Sequence, residues 1–204
     1  LVSQLLGRGV QAAVEDSSGN AGASFAAYAA RARMKGRVYV PEAASGPKRM
    51  QIEVYGAELV GVPGPRSAAA QAVLQEVEQG GVYASHAYLP FGLAGIATIA
   101  YELWHTVGSA PGTVITPVGH GSLLLGIVRG FAALKAGGWI DAPPFYLGVQ
   151  TQACAPLVAA FQKGLAAMAE VNEGSTVAEG IRVRNPVYAE ALLREIPAGM
   201  GAFH

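Results

Sequence analysis

In 204 residues the chain holds one cysteine, Cys154, two aspartates, Asp16 and Asp141, and two tryptophans. A lone cysteine excludes a disulfide framework and any cysteine-based zinc site, and it fits a reducing, cytoplasmic compartment. Charge is scarce too. Asp, Glu, Lys and Arg make up 14% of the chain, against about 25% in an ordinary soluble domain. The 14 cations and 14 anions cancel, which argues against nucleic-acid binding, because that needs a basic face. Disorder is excluded as well, since 51% of the residues are hydrophobic and no charge excess keeps them apart.

Three stretches carry no charge at all: between Glu78 and Glu102, between Glu102 and Arg129, and between Asp141 and Lys163. Each is long enough to raise a membrane question, since roughly 20 apolar residues cross a bilayer. Pro, Gly, His, Gln or Ser interrupts every one of them, so they read as buried strand–turn–helix traffic and not as membrane spans. The opening LVSQLLGRG reads as part of a helix and lacks the long apolar core of a signal peptide. No His, Asp and Glu cluster has metal-ligand spacing, so no metal is expected. His86 and His105 stand alone, and Ser24 and Ser175 lack a nucleophile-elbow context.

What the chain does have is glycine, at 27 positions, and a regular alternation of patterns. Strand-like runs fall at 10–15, 37–40, 57–62, 81–85, 113–118 and 146–152. Helix-like runs fall at 23–34, 47–56, 67–81 (with Ser67 as cap), 93–108, 123–138, 155–168 and 186–196. Repeated strand–helix units with apolar strands predict an α/β protein with open, mostly parallel sheets between helical layers.

Two loops stand where a strand ends and a helix begins. The first is Ser17-Ser18-Gly19-Asn20-Ala21-Gly22 and the second is Gly119-His120-Gly121-Ser122. Backbone N–H groups at a helix start lack partners and lie at the positive end of the dipole, so both loops suit a carboxylate or phosphate. Glycines let the backbone approach an anion closely. A Ser or Asn in the first loop also suits simple capping of its helix. GHGSLLLG spaces its glycines differently from G-x-G-x-x-G, no acid follows at the end of the next strand, and no P-loop occurs.

These residues bring a family into view. SSGNAGASFAAYAARA resembles the S-[ST]-G-N-x-[GA] segment of the fold-type II pyridoxal-phosphate enzymes, which include threonine synthase, threonine and serine dehydratases, and the tryptophan synthase β chain. PEAASGPKRMQIEVYGAEL, LAGIATIAYEL, TPVGHGSLLLGI, GVQTQACAPLVAAF and STVAEGIRVRNPV resemble further segments of that family, in order and in register. The resemblance runs from Leu1 to about Ile196. It implies a two-lobed, three-layer α/β/α fold like that of tryptophan synthase β. Residues 1–89 would form the smaller lobe, and 90–204 part of the larger one.

The resemblance also implies roles. Asn20 would bond the 3-oxygen of pyridoxal 5'-phosphate, while Ser17, Ser18, Gly19, Ala21 and Gly22 grip the substrate carboxylate. Gly119, His120, Gly121, Ser122 and Leu123 would surround the cofactor phosphate, and a homodimer acting on a small amino acid is implied. The family's Schiff-base lysine lies upstream of the SSGN loop, which puts it before Leu1. Lys35, Lys48, Lys135 and Lys163 read as surface residues, and the chain is expected to be the middle of an enzyme, truncated at both ends. Such a piece should expose an apolar patch.

The segment around Arg182–Val187 and GVQTQACAPL looks most like threonine synthase, which converts O-phosphohomoserine to threonine. In that enzyme's N-P-x-R-x-E-G-Q-K-T pattern, however, this chain has Leu89-Pro90-Phe91 and then Gly92 for Arg, Ala94 for Glu, Ile96 for Gln and Ala97 for Lys. Apolar side chains do not replace the water lost by a phosphate dianion. A threonine or serine dehydratase is therefore the alternative, and a noncatalytic amino-acid or phospholigand-binding relative is the alternative of another class.

Overall fold

Val38 and Val40 are fully buried while Arg37 and Tyr39, which alternate with them, are only half-buried. That alternation belongs to a strand covered on one face by apolar side chains and on the other by polar ones. The computed structural model describes residues 1–17, 19–42, 46–64, 66–85, 87–88 and 91–204, with the backbone alone for Lys48, Arg66, Ser67 and Glu179. Expectations for Ser18, His86, Leu89, Pro90 and the loop at 43–45 lie outside the described residues. The chain folds as two compact units, Leu1–Leu89 and Pro90–His204.

In the first unit, strands β1 (Ala12–Glu15), β2 (Lys35–Pro41) and β3 (Glu58–Val62) form a parallel sheet in the order β1-β2-β3. Helices α1 (Val2–Leu6), α2 (Asn20–Arg31), α3 (Pro47–Val54) and α4 (Arg66–Glu78) surround it. Helix α2 buries Gly22, Ala23, Phe25, Ala26 and Ala29, a stripe at helical spacing, against Ala13, Val38, Val40 and Ile52 of α3. On the other face of β2, Arg37 bonds Glu58 at 2.8 Å and Glu76 of α4 at 3.0 Å, and Tyr39 donates to Glu76. The sheet thus lies between α2 on one side and α4 on the other.

In the second unit, β4 (Thr113–Pro117), β5 (Phe145–Val149) and β6 (Gly201–Phe203) form another parallel sheet, ordered β4-β5-β6. The remaining elements are α5 (Phe91–Val107), α6 (Ser122–Ala136), α7 (Pro156–Gln162), α8 (Ala189–Glu195) and a 3-10 turn at Glu179–Ile181. Helix α6 is the centre. Leu124, Leu125, Ile127, Val128, Phe131 and Leu134 are all buried, so it is apolar around most of its girth, with α5, α8 and β4 packed against it. A side-chain carbon on Gly126 would stand 2.5 Å from Ile96, and one on Gly130 2.5 Å from the Ala97 carbonyl, so α5 and α6 meet through glycine.

The faces of this second sheet differ. Register sets Val114 beside Tyr146 and Thr116 beside Gly148, and this face is buried. The opposite face carries Ile115 beside Leu147 and Thr113 beside Phe145, with Ile115 64% and Phe145 40% exposed. An apolar patch is therefore open to solvent there.

Several expectations need correction. The run 81–85 is no strand: Tyr83 makes a single bridge to Val14. The helix expected over 155–168 stops at Gln162, because Gly164 takes a left-handed φ of +64° and Leu165 N–H returns to the Ala160 carbonyl at 2.9 Å. Helix α4 begins at Arg66, so Ser67 lies in its first turn and not at the cap. Strand β6 went unread, because three residues show no periodicity.

The glycine contact carries a prediction. Gly130→Val must push α5 from α6, since its side chain would also stand 2.6 Å from Ala100 Cβ, and should cost about 1–3 kcal/mol or more in urea unfolding. Ile115→Ser, on the open face, should cost no more than about 0.5 kcal/mol. Equal losses for the two would contradict the packing.

Candidate functional site

Strand β1 ends at Glu15, 1% exposed, and Asp16 after it is 4% exposed before the chain turns into α2. The cap of α2 is Gly19, so the cap residue brings no side-chain acceptor. Ser17 instead turns its hydroxyl to accept the Gly19 N–H at 3.2 Å. The first helical bond runs from Ala23 N–H to the Gly19 carbonyl at 3.1 Å, which leaves the N–H groups of Asn20, Ala21 and Gly22 outside the helix ladder. A side-chain carbon on Gly22 would stand 1.8 Å from the Ser17 carbonyl oxygen, so the loop closes on itself only with glycine there. Asn20 is exposed. Ser18 lies outside the described residues. Asp16, which borders the loop in sequence, is buried and accepts a hydrogen bond from Tyr83 at 2.6 Å.

The second loop repeats the pattern in the other unit. Gly121 caps α6 with a left-handed φ of +94°, a conformation that glycine adopts freely. The Leu125 N–H opens the helix ladder at 3.0 Å to the Gly121 carbonyl, which leaves those of Ser122, Leu123 and Leu124 ahead of it. The segment 180–192 backs the loop. A side-chain carbon on Gly119 would stand 3.3 Å from the Gly180 carbonyl, and the His120 carbonyl accepts Tyr188 N–H at 3.0 Å. Two glycines and a long helix without a side-chain cap leave backbone N–H groups at the positive end of the α6 dipole, a setting that suits an anion.

Gln150, read only as part of a strand end, proves to be the brace of this loop. Its side-chain amide donates to the Val118 carbonyl at 3.3 Å, and its oxygen accepts the Leu157 and Val158 N–H groups at 2.8 and 3.3 Å. The start of α7 is therefore satisfied by a remote side chain, unlike the starts of α2 and α6. Thr151 bonds Thr176 at 3.1 Å, and Thr176 accepts Ala178 N–H at 3.1 Å, which fixes the strand end to the segment that covers Gly119. No local sequence signal marks these links, because 25 residues or more separate the Thr pair and the Gln150–Val118 pair.

Of the four α5 positions expected to form an apolar wall, Ile96 and Ala97 pack on α6. Their identity answers to helix packing. Gly92 and Ala94 do not share that contact, and a side-chain carbon on Gly92 would meet open space. Lys35, Lys135 and Lys163 are exposed. Cys154 is buried, and that burial raises its thiol above the ordinary range. Among the described residues, no three His, Cys, Asp or Glu side chains gather to hold a metal, and no helix is long and apolar enough to cross a membrane.

The brace is testable. Gln150→Leu leaves buried N–H groups of α7 and the Val118 carbonyl unpaired and should cost about 1–3 kcal/mol for each such group in thermal or urea unfolding. Gln150→Glu keeps the acceptor toward α7 and should recover part of that loss. Identical losses in the two variants would show that the cap contributes nothing.

Residues 1–199 match the family model described as pyridoxal-phosphate dependent enzyme. Among curated relatives, the threonine synthase of Methanocaldococcus jannaschii is 35% identical over 188 residues, which is 91% of this chain and 46% of that protein. The threonine synthase of Synechocystis is 29% identical over 205 residues, 100% of this chain and 51% of that protein. This chain spans about half the length of the curated relatives it matches. Among solved structures, threonine deaminase isoform 2 of Solanum lycopersicum, in its processed form, superposes with a TM-score of 0.80 at 20% identity, covering 96% of this chain and 52% of that one. The L-serine ammonia-lyase of the fungus Rhizomucor miehei gives 0.77 at 20% identity, covering 98% of this chain and 62% of that one. Sequence and fold agree, and the chain belongs to the pyridoxal-phosphate dependent enzyme family.

Proposed function

We propose that the protein acts on a small amino acid by elimination or replacement, in the manner of threonine synthase, turning O-phosphohomoserine into threonine. One observation carries the reading: both α2 and α6 start on a glycine cap at the carboxyl end of a parallel strand, with backbone N–H groups left for an anion. The threonine synthases among the relatives support the choice of reaction.

Each loop then has a task. The backbone of Ser17, Ser18, Gly19, Ala21 and Gly22 holds the substrate carboxylate, while Asn20 donates to the cofactor's ring oxygen. Gly119, His120, Gly121, Ser122 and Leu123 hold the cofactor phosphate, where the α6 dipole favours negative charge. Pyridoxal phosphate, when bound, supplies the electron sink that lets the substrate's α-proton leave. The same reading carries a homodimer and a cytoplasmic location.

A second reading, threonine or serine dehydratase, is favoured by one feature of α5. Gly92 and Ala94 offer no polar side chain where the threonine-synthase pattern has Arg and Glu. The two reactions separate in one assay of the protein loaded with cofactor: phosphate released from O-phosphohomoserine, against 2-oxobutanoate formed from threonine. Phosphate release is expected, and 2-oxobutanoate alone would establish the dehydratase. The double substitution Gly119→Val and Gly121→Val should abolish cofactor binding, followed by its visible absorbance, while circular dichroism confirms the fold. Undiminished binding in a folded variant would refute the phosphate loop.

A further inference from the structure

We propose that Asp16 and Tyr83 are positioning residues, whose hydrogen bond fixes the loop Ser17–Gly22 and so aims the open N–H groups of α2. The proposal rests on reading that loop as the carboxylate cradle. Strand β1 is an edge strand, and the segment 82–84 runs along its free side: Val14 N–H donates to the Val82 carbonyl at 2.9 Å, and Ala84 N–H to the Val14 carbonyl at 2.7 Å. Among the described residues this backbone pairing reaches Val14, three residues before Ser17. The Tyr83 hydroxyl extends it by donating to Asp16 Oδ1 at 2.6 Å.

Both partners are held. Ser85 accepts the N–H groups of Ala87 and Tyr88 at 3.1 and 3.2 Å, which fixes the turn after Tyr83, and the Tyr88 ring lies 6.0 Å from the Tyr83 ring. Burial first, and then the bond to Asp16, raise the Tyr83 phenol above its ordinary range, so it stays a donor at neutral pH. Asp16 adjoins Ser17, and Ser17 touches the loop twice, through its hydroxyl on Gly19 N–H and its carbonyl against Gly22. A displacement of Asp16 therefore reaches the cap of α2.

The test uses the cofactor-loaded protein and two readouts. In amide hydrogen exchange without substrate, Tyr83→Phe and Asp16→Ala should speed exchange at residues 19–23 about tenfold, while Asp16→Asn, which keeps the acceptor oxygen, should change it less than about threefold. Unchanged exchange, or acceleration spread evenly over the first unit, would overturn the proposal, since the second result marks a purely structural role. In titrations with L-serine, Tyr83→Phe should weaken binding about tenfold with cofactor affinity unchanged. Gly22→Ala separates the two ideas. If it leaves L-serine binding intact, the loop is not the cradle, although the exchange result still decides whether Asp16 and Tyr83 position it. If Gly22→Ala weakens binding and Tyr83→Phe does not, positioning by this pair is wrong.

Discussion

The first N–H groups of an α-helix find no acceptor within the helix, and something outside must meet them. In this chain the caps of α2 and α6 are glycines, so the cap residues supply no oxygen of their own. Both helices follow a parallel strand, and parallel connections gather such helix starts at the carboxyl ends of the strands. The rest of each unit serves to hold those starts in place. Ser17 and Gly22 close the first loop, while Gln150, Tyr188 and the segment at Gly180 support the second.

The scarcity of charge follows from the packing around α6. Its neighbour α5 approaches so closely that Gly126 and Gly130 stand where side chains would collide. A helix enclosed by α5, α8 and a sheet has little surface left for charged groups, and the charge-free sequence between Glu102 and Arg129 runs from α5 through β4 into it. The third charge-free stretch supplies β5 and α7, and β5 together with β4 presents an open apolar face through Ile115 and Phe145. Low charge here marks both a closed core and a sheet surface bare on one side.

Much of this was legible in the sequence because it is local. SSGNAG and GHGS show glycine and serine at the change from strand to helix periodicity, and the structure puts α2 and α6 there, within three residues of the expected starts. What was not legible depends on residues far apart. Asp16 borders SSGN in sequence, but the Tyr83 that bonds it stands 67 residues later. Gln150 looks like strand sequence until its side chain reaches Val118 and the first turn of α7. Ile96 and Ala97 suggest a ligand wall by position, yet they answer to Gly126 and Gly130 of a neighbouring helix. The stop at Gly164 was readable in principle, since Lys-Gly after an apolar stripe is a common helix end.

The central claim is that the start of α6 holds the cofactor phosphate. A structure with pyridoxal 5'-phosphate bound tests it most directly. The expected result is phosphate oxygens within hydrogen-bond distance of the N–H groups of Ser122 and Leu123, with Gly119 and Gly121 against them. A phosphate bound anywhere else, with the start of α6 left to water, contradicts it.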